Sequence, residues 1–125
     1  LFFGGNAALS SGFGVGLVDV STESTASTDK IGKIYADIYA RLASCSLRLP
    51  RAHEIYMLDR MWQIGGEPLI DQNTISILDA GPPEENKPVP VVIKTADFAN
   101  FFLLSQDQKP PLPYVARGAV FTNLV

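Results

Sequence analysis

The sequence predicts an α+β domain, with a small, largely antiparallel sheet packed against a helix pair. Three observations lead there. Apolar residues recur at helical spacing over 31–45, two β-branched stretches follow at 73–80 and 89–95, and proline-rich loops at 81–90 and 105–113 separate the later elements. A mainly β barrel or sandwich with a helical insertion is the alternative arrangement of the same parts. The 125 residues fit one domain, read as an arm over 1–12 and a single domain over 13–125.

The opening run, LFFGGNAALSSGFGVG, mixes aromatic and small residues. Glycine and serine give it weak intrinsic order, while Leu1, Phe2 and Phe3 are costly to leave in water. An arm that packs on a neighbouring subunit satisfies both facts; a frayed terminus is the plain alternative. A chain that opens on Leu1 is expected to be a processed product or part of a longer protein. FGVGLVDV, 13–20, has the composition of a strand. The polar STESTAST, 21–28, ends beside Asp29, so Ser27, Thr28 or Asp29 is expected to cap a helix.

In that helix Ile31, Ile34, Tyr35, Ile38, Leu42 and Cys45 lie three and four apart and make one apolar face. Pro50 stops or kinks it. A second helix is expected over Arg51–Gln63, with Ile55, Leu58 and Trp62 on one face, Tyr56 and Trp62 in the core, and Gly65–Gly66 closing it. The two helices form a hairpin, or one helix bent at Pro50. NTISILDA and VPVVIKT are strand-like. Between them, GPPEENKPVP is a solvated loop or an excursion from the body. ADFANFFLL, 96–104, is expected to be a short helix capped by Asp97, although its phenylalanines also suit a buried strand. YVARGAVFTNLV ends the chain as a strand.

Charge excludes some functions. The net charge is −3, with +2 over residues 29–64 and −5 over 65–108. No Lys/Arg cluster is present to displace counterions, so no nucleic-acid partner is expected. No run approaches the 18 or so apolar residues of a membrane span, and no membrane partner is expected.

Motifs exclude more. The histidine of RAHEIYM is followed by glutamate, as in a zinc-binding His-Glu-x-x-His helix, but the second ligand position is Met57. His53 has no second histidine to work with, so no metal is expected and Glu54 is read as facing the opening turn of its helix. GFGVG has the wrong spacing for a dinucleotide loop and precedes a strand pattern instead of a helix. No cofactor is expected. Cys45, the one cysteine, is read as a small buried hydrophobe on the helix stripe. No Gly-x-Ser-x-Gly elbow exists. PPLPY, 110–114, has the proline density of a WW-type ligand but more simply leads rigidly into the last strand.

Two function classes stand against each other. The first is a non-catalytic structural or assembly subunit, such as a virion capsid or tail component, whose partners are other protein subunits in a homo-oligomer or larger assembly. Its expected interface residues are Leu1, Phe2, Phe3, Pro82, Pro83, Pro110 and Pro111. Low charge (18 % charged residues), the apolar arm and the proline loops favour it. The second is a small enzyme or ligand-binding domain with a cleft lined by Glu67, Asp71, Asp79 and Asp97.

Overall fold

The structure, a computed structural model, describes residues 2–6, 13–18, 24–64, 73–95 and 98–123. The elements run β1 (Phe2–Asn6), β2 (Phe13–Val18), α1 (Ile31–Ser44), α2 (Ala52–Ile64), β3 (Ile75–Ile77), β4 (Val89–Thr95), β5 (Phe98–Leu104), β6 (Tyr114–Val115) and β7 (Ala119–Asn123). Four strands make an open sheet in the order β5-β4-β3-β6, and β1-β2-β7 make a second, three-stranded sheet. The four-stranded sheet is mixed: β3–β4 and β4–β5 are antiparallel and β3–β6 is parallel. The arrangement is α+β, and an open sheet is not the barrel of the alternative reading.

Both helices pack on the four-stranded sheet, one on each face. Ile31, Ile34, Tyr35 and Ile38 of α1 share one buried cluster with Ile75, Ile77, Val89 and Val91. Side chains alternate along a strand, and Ser76 pairs with Val92 as Ile77 pairs with Val91. Ser76, Val92 and Lys94 therefore face the other way. On that side the Lys94 ammonium lies 3.5 Å from the Asp59 carboxylate of α2, with both side chains buried. Ile55 and Leu58 of α2 are fully buried as well. Neither a helical hairpin nor a bent helix results. Residues 45–51 separate the helices, and Arg48 within them pairs with Ala119 at the start of β7.

The helix ends explain two differences from the sequence reading. The N-cap of α1 is Lys30, which makes no side-chain cap, so Ser27, Thr28 and Asp29 do not serve that role. The first N–H groups, of Ile31 and Gly32, instead donate to the carbonyls of Gln108 (2.7 Å) and Gln106 (3.1 Å). Backbone from the 105–113 loop thus takes the place of a capping side chain. The approach is close enough that a Cβ on Gly32 would sit 2.7 Å from that of Gln106. At the other end α1 stops well before Pro50. Leu47 N–H returns to Leu42 O and Ser46 N–H to Ala43 O, with Ser46 at φ 58. This is the Schellman closure, built on serine where glycine is usual. Cys45 falls at the C-cap and is exposed, so it is not part of the buried stripe.

Arg51 precedes α2, and the Glu54 carboxylate reaches back to accept its N–H at 2.8 Å, half of a capping box. Arg48 grips the same carboxylate with two hydrogen bonds of 2.8 Å. Burial alone would raise the Glu54 pKa; the Arg48 and Arg51 hydrogen bonds and the Arg48 charge outweigh it and hold it below the usual value.

Residues 98–104 form a strand, not the expected helix. Strand β4 presents seven residues, and β5 pairs with all of them, from Val89↔Leu104 to Thr95↔Phe98. Sheet partners override a local preference that was weak in either direction. The last stretch is also two strands: β6 joins the four-stranded sheet and β7 the three-stranded one.

Two outcomes test this packing. Lys94→Met leaves the buried Asp59 carboxylate without its cation and is expected to cost about 3 kcal/mol in urea unfolding, most of it recovered in Lys94→Met/Asp59→Leu. A depressed folded-state pKa makes Glu54 stabilising above its unfolded value, and that share disappears as pH falls through the folded one. The stability gap between the native chain and Glu54→Gln is therefore expected to close on acidification below about pH 4.5, read by denaturation at stepped pH.

Candidate functional site

The residues expected at an interface are placed as follows. Leu1 lies outside the described residues. Phe2 and Phe3 belong to β1 and pair with Leu17 and Gly16 of β2; the placement of their side chains is outside the description. Pro82, Pro83 and Pro111 are exposed and Pro110 is half-buried. The loops that carry these prolines are brought together. The Gln106 amide donates to the carbonyls of Glu84 (2.5 Å) and Lys87 (2.8 Å). The Tyr35 hydroxyl accepts from Ala80 N–H (2.9 Å) and donates to Gly81 O (2.6 Å). A shallow surface hollow, with room for no more than a water molecule, sits here, lined by Tyr35, Pro83, Lys87 and Gln106 among others. Burial, and then the nearby Asp79 charge, push the Tyr35 hydroxyl up, against the pull of the Ala80 N–H. The group is held in its neutral form as a structural hydrogen-bonding post.

Of the four carboxylates expected in a cleft, Glu67, Asp71 and Asp97 lie outside the described residues. Asp79 is engaged structurally. It faces Arg51 Nε at 3.6 Å and accepts the Gly81 N–H at 3.1 Å. His53 lies near the start of α2, and the adjacent Glu54 is taken up by Arg48 and Arg51. Among the described residues no three of His, Cys, Asp and Glu gather as a metal cluster, and no helix is long and apolar enough to cross a membrane. Tyr56, expected in the core, is 48 % exposed; Trp62's side chain is outside the description.

The most unusual surface is the outer edge of β5. Phe101, Phe102 and Leu103 are consecutive and are 43 %, 49 % and 69 % exposed. Alternation sends them to both faces. Phe101 and Leu103 sit opposite Val92 and Pro90, on the α2 side; Phe102 sits opposite Val91, on the α1 side. Among the described side chains of β5 only Leu104, opposite Val89, joins the α1 core. No charged residue occurs between Phe98 and Leu104. Edge strands usually carry lysine, proline or a bulge to block further pairing. Seven consecutive pairs with β4 show that β5 has no bulge, and its sequence has neither lysine nor proline. The opposite edge of the same sheet is covered: β6 pairs with Thr25 through N–H···O bonds in both directions, 2.9 and 3.0 Å.

No family model matches the chain, and neither the curated proteins nor the solved structures include a similar one. The reading of this edge thus rests on its own chemistry. The sequence signal for it was the uncharged FANFFLL run, although Phe98, Phe101 and Phe102 lie at helical spacing and point to a helix instead.

Side chains that already face water contribute little to the fold. Leu103→Lys is expected to leave unfolding stability within about 0.5 kcal/mol of the native chain while reducing the binding of a fluorescent apolar dye. A loss of several kcal/mol would show that the edge is part of the core.

Proposed function

We propose that this chain is a non-catalytic structural or assembly subunit that joins other protein subunits through the edge of β5. One observation carries the proposal: three consecutive apolar side chains, Phe101, Phe102 and Leu103, stand exposed on the strand that ends the order of the four-stranded sheet. Strand addition at such an edge supplies main-chain hydrogen bonds and buries both flanking rows of side chains. An apolar patch of this kind is a cost in a free monomer and an asset in an assembly. The tied proline loops add a rigid rim formed by Gln106 and Tyr35. A virion capsid or tail is one setting that a subunit of this type serves, and the proposal extends to it.

The test is native mass by light scattering on a sizing column at several concentrations. The expected result is a mass above the 13.5 kDa monomer that returns to monomer in Phe102→Lys/Leu103→Lys. A monomer at every concentration, for the native chain as for the variant, would overturn self-assembly through this edge.

A further inference from the structure

We infer that the occupant of the β5 edge is a second copy of β5, running antiparallel across a twofold axis with Phe102 at its centre. This inference rests on the assembly reading above and names its partner and register.

The register follows from the side-chain faces. In a sheet continued through a twofold, opposed residues must point to the same face. That restricts the centre of symmetry to a residue rather than to a point between residues. Centring on Phe102 sets Phe102 against its own copy on the α1 side. It sets Phe101 against Leu103 of the second copy, and Leu103 against Phe101, on the α2 side. All three exposed apolar side chains then find one another. Centring on Phe101 instead would oppose Phe102 to Asn100 and Leu103 to Ala99, leaving the largest exposed groups beside a polar and a small residue.

Charge permits the pairing. With no charged group in 98–104, the paired strands themselves bring no like charges opposite each other. Of the other sheet's two edge strands, β1 is a poorer occupant because Gly4 and Gly5 lie in the middle of Phe2–Asn6 and offer no side chain to the phenylalanines, and β7 already pairs with Arg48 at Ala119. The result is an isologous contact that joins two four-stranded sheets into one continuous sheet. Three side chains and one strand edge per copy place the contact at the small end of specific interfaces, below about 1,200 Å². The dimer is therefore expected to dissociate on dilution, and a larger assembly would hold it by avidity.

The experiment is site-directed disulfide cross-linking of the full chain in a Cys45→Ser background, since Cys45 is exposed. Directly opposed antiparallel residues have Cα atoms about 4.5–5.5 Å apart, within disulfide reach. Phe102→Cys is expected to form a covalent dimer rapidly under mild oxidation, and Asn100→Cys is not, because its two copies would stand about 14 Å apart. An equimolar mixture of Phe101→Cys and Leu103→Cys chains is expected to give the mixed dimer in preference to either self-dimer. Far-ultraviolet circular dichroism of each variant confirms the fold. If the native chain is oligomeric but Phe102→Cys fails to cross-link, or cross-links no faster than Asn100→Cys, the register is overturned and the assembly reading stands. If the native chain is monomeric at every concentration, both fall.

Discussion

The structure depends on strand β4 being covered on both faces. Val91 and Val92 are adjacent in sequence and both fully buried, which a strand allows only when something packs on each side of it. Helix α1 supplies one cover with Ile31, Ile34, Tyr35 and Ile38. Helix α2 supplies the other, and there the contact includes an ion pair, Lys94–Asp59, with both side chains out of water. A buried pair is a weak source of net stability and a strict constraint on geometry. It fixes α2 on its face of the sheet, because each charge is costly without the other. The separation of the helices by residues 45–51 follows: the chain must cross from one face to the other, and it does so alongside β7, where Arg48 pairs with Ala119.

The same economy governs the proline loops. Prolines remove donors, and loops must still satisfy the carbonyls they bury. Gln106 meets two of them, on Glu84 and Lys87, while its own carbonyl and that of Gln108 receive the first donors of α1. Tyr35, a core residue of that helix, holds Ala80 and Gly81 from the other side. Residues far apart in sequence thereby form one rigid corner, and Gly32 is the position where the backbones come too close for a side chain.

What could be read from sequence was what is local. The apolar stripe of α1, the extent of α2 and the bounds of β4 follow from periodicity and composition. The α1 cap, the split of the helices to opposite faces and the strand at 98–104 did not follow, because each is decided by a distant partner. The cap comes from residues 106 and 108, and the strand from the length of β4. Cys45 shows the limit of periodicity as well. It continues the i, i+3, i+4 pattern in sequence, but the helix has already closed through Ser46, so the pattern has no helix left to sit on. The interaction edge was hidden for a related reason. Phe101 and Phe102 imply burial in any sequence reading, and only the sheet order shows that they stand at its margin.

The edge itself is best understood through what the two helices do not cover. Helix α1 packs over β3 and β4 and α2 meets β4 at Lys94, and among the described side chains the α1 core reaches β5 only at Leu104. A monomer selected for life alone would be expected to answer with charge or proline at 101–103, since such substitutions cost little where side chains already face water. The other margin of the sheet shows that the fold can close an edge, because Thr25 pairs there in both directions. Closing one margin and leaving the other uncharged, unbulged and apolar on both faces is an asymmetry that stability within one chain does not account for. A second strand at β5 does account for it, and it is the single addition that would give every strand of the four-stranded sheet a neighbour on both sides.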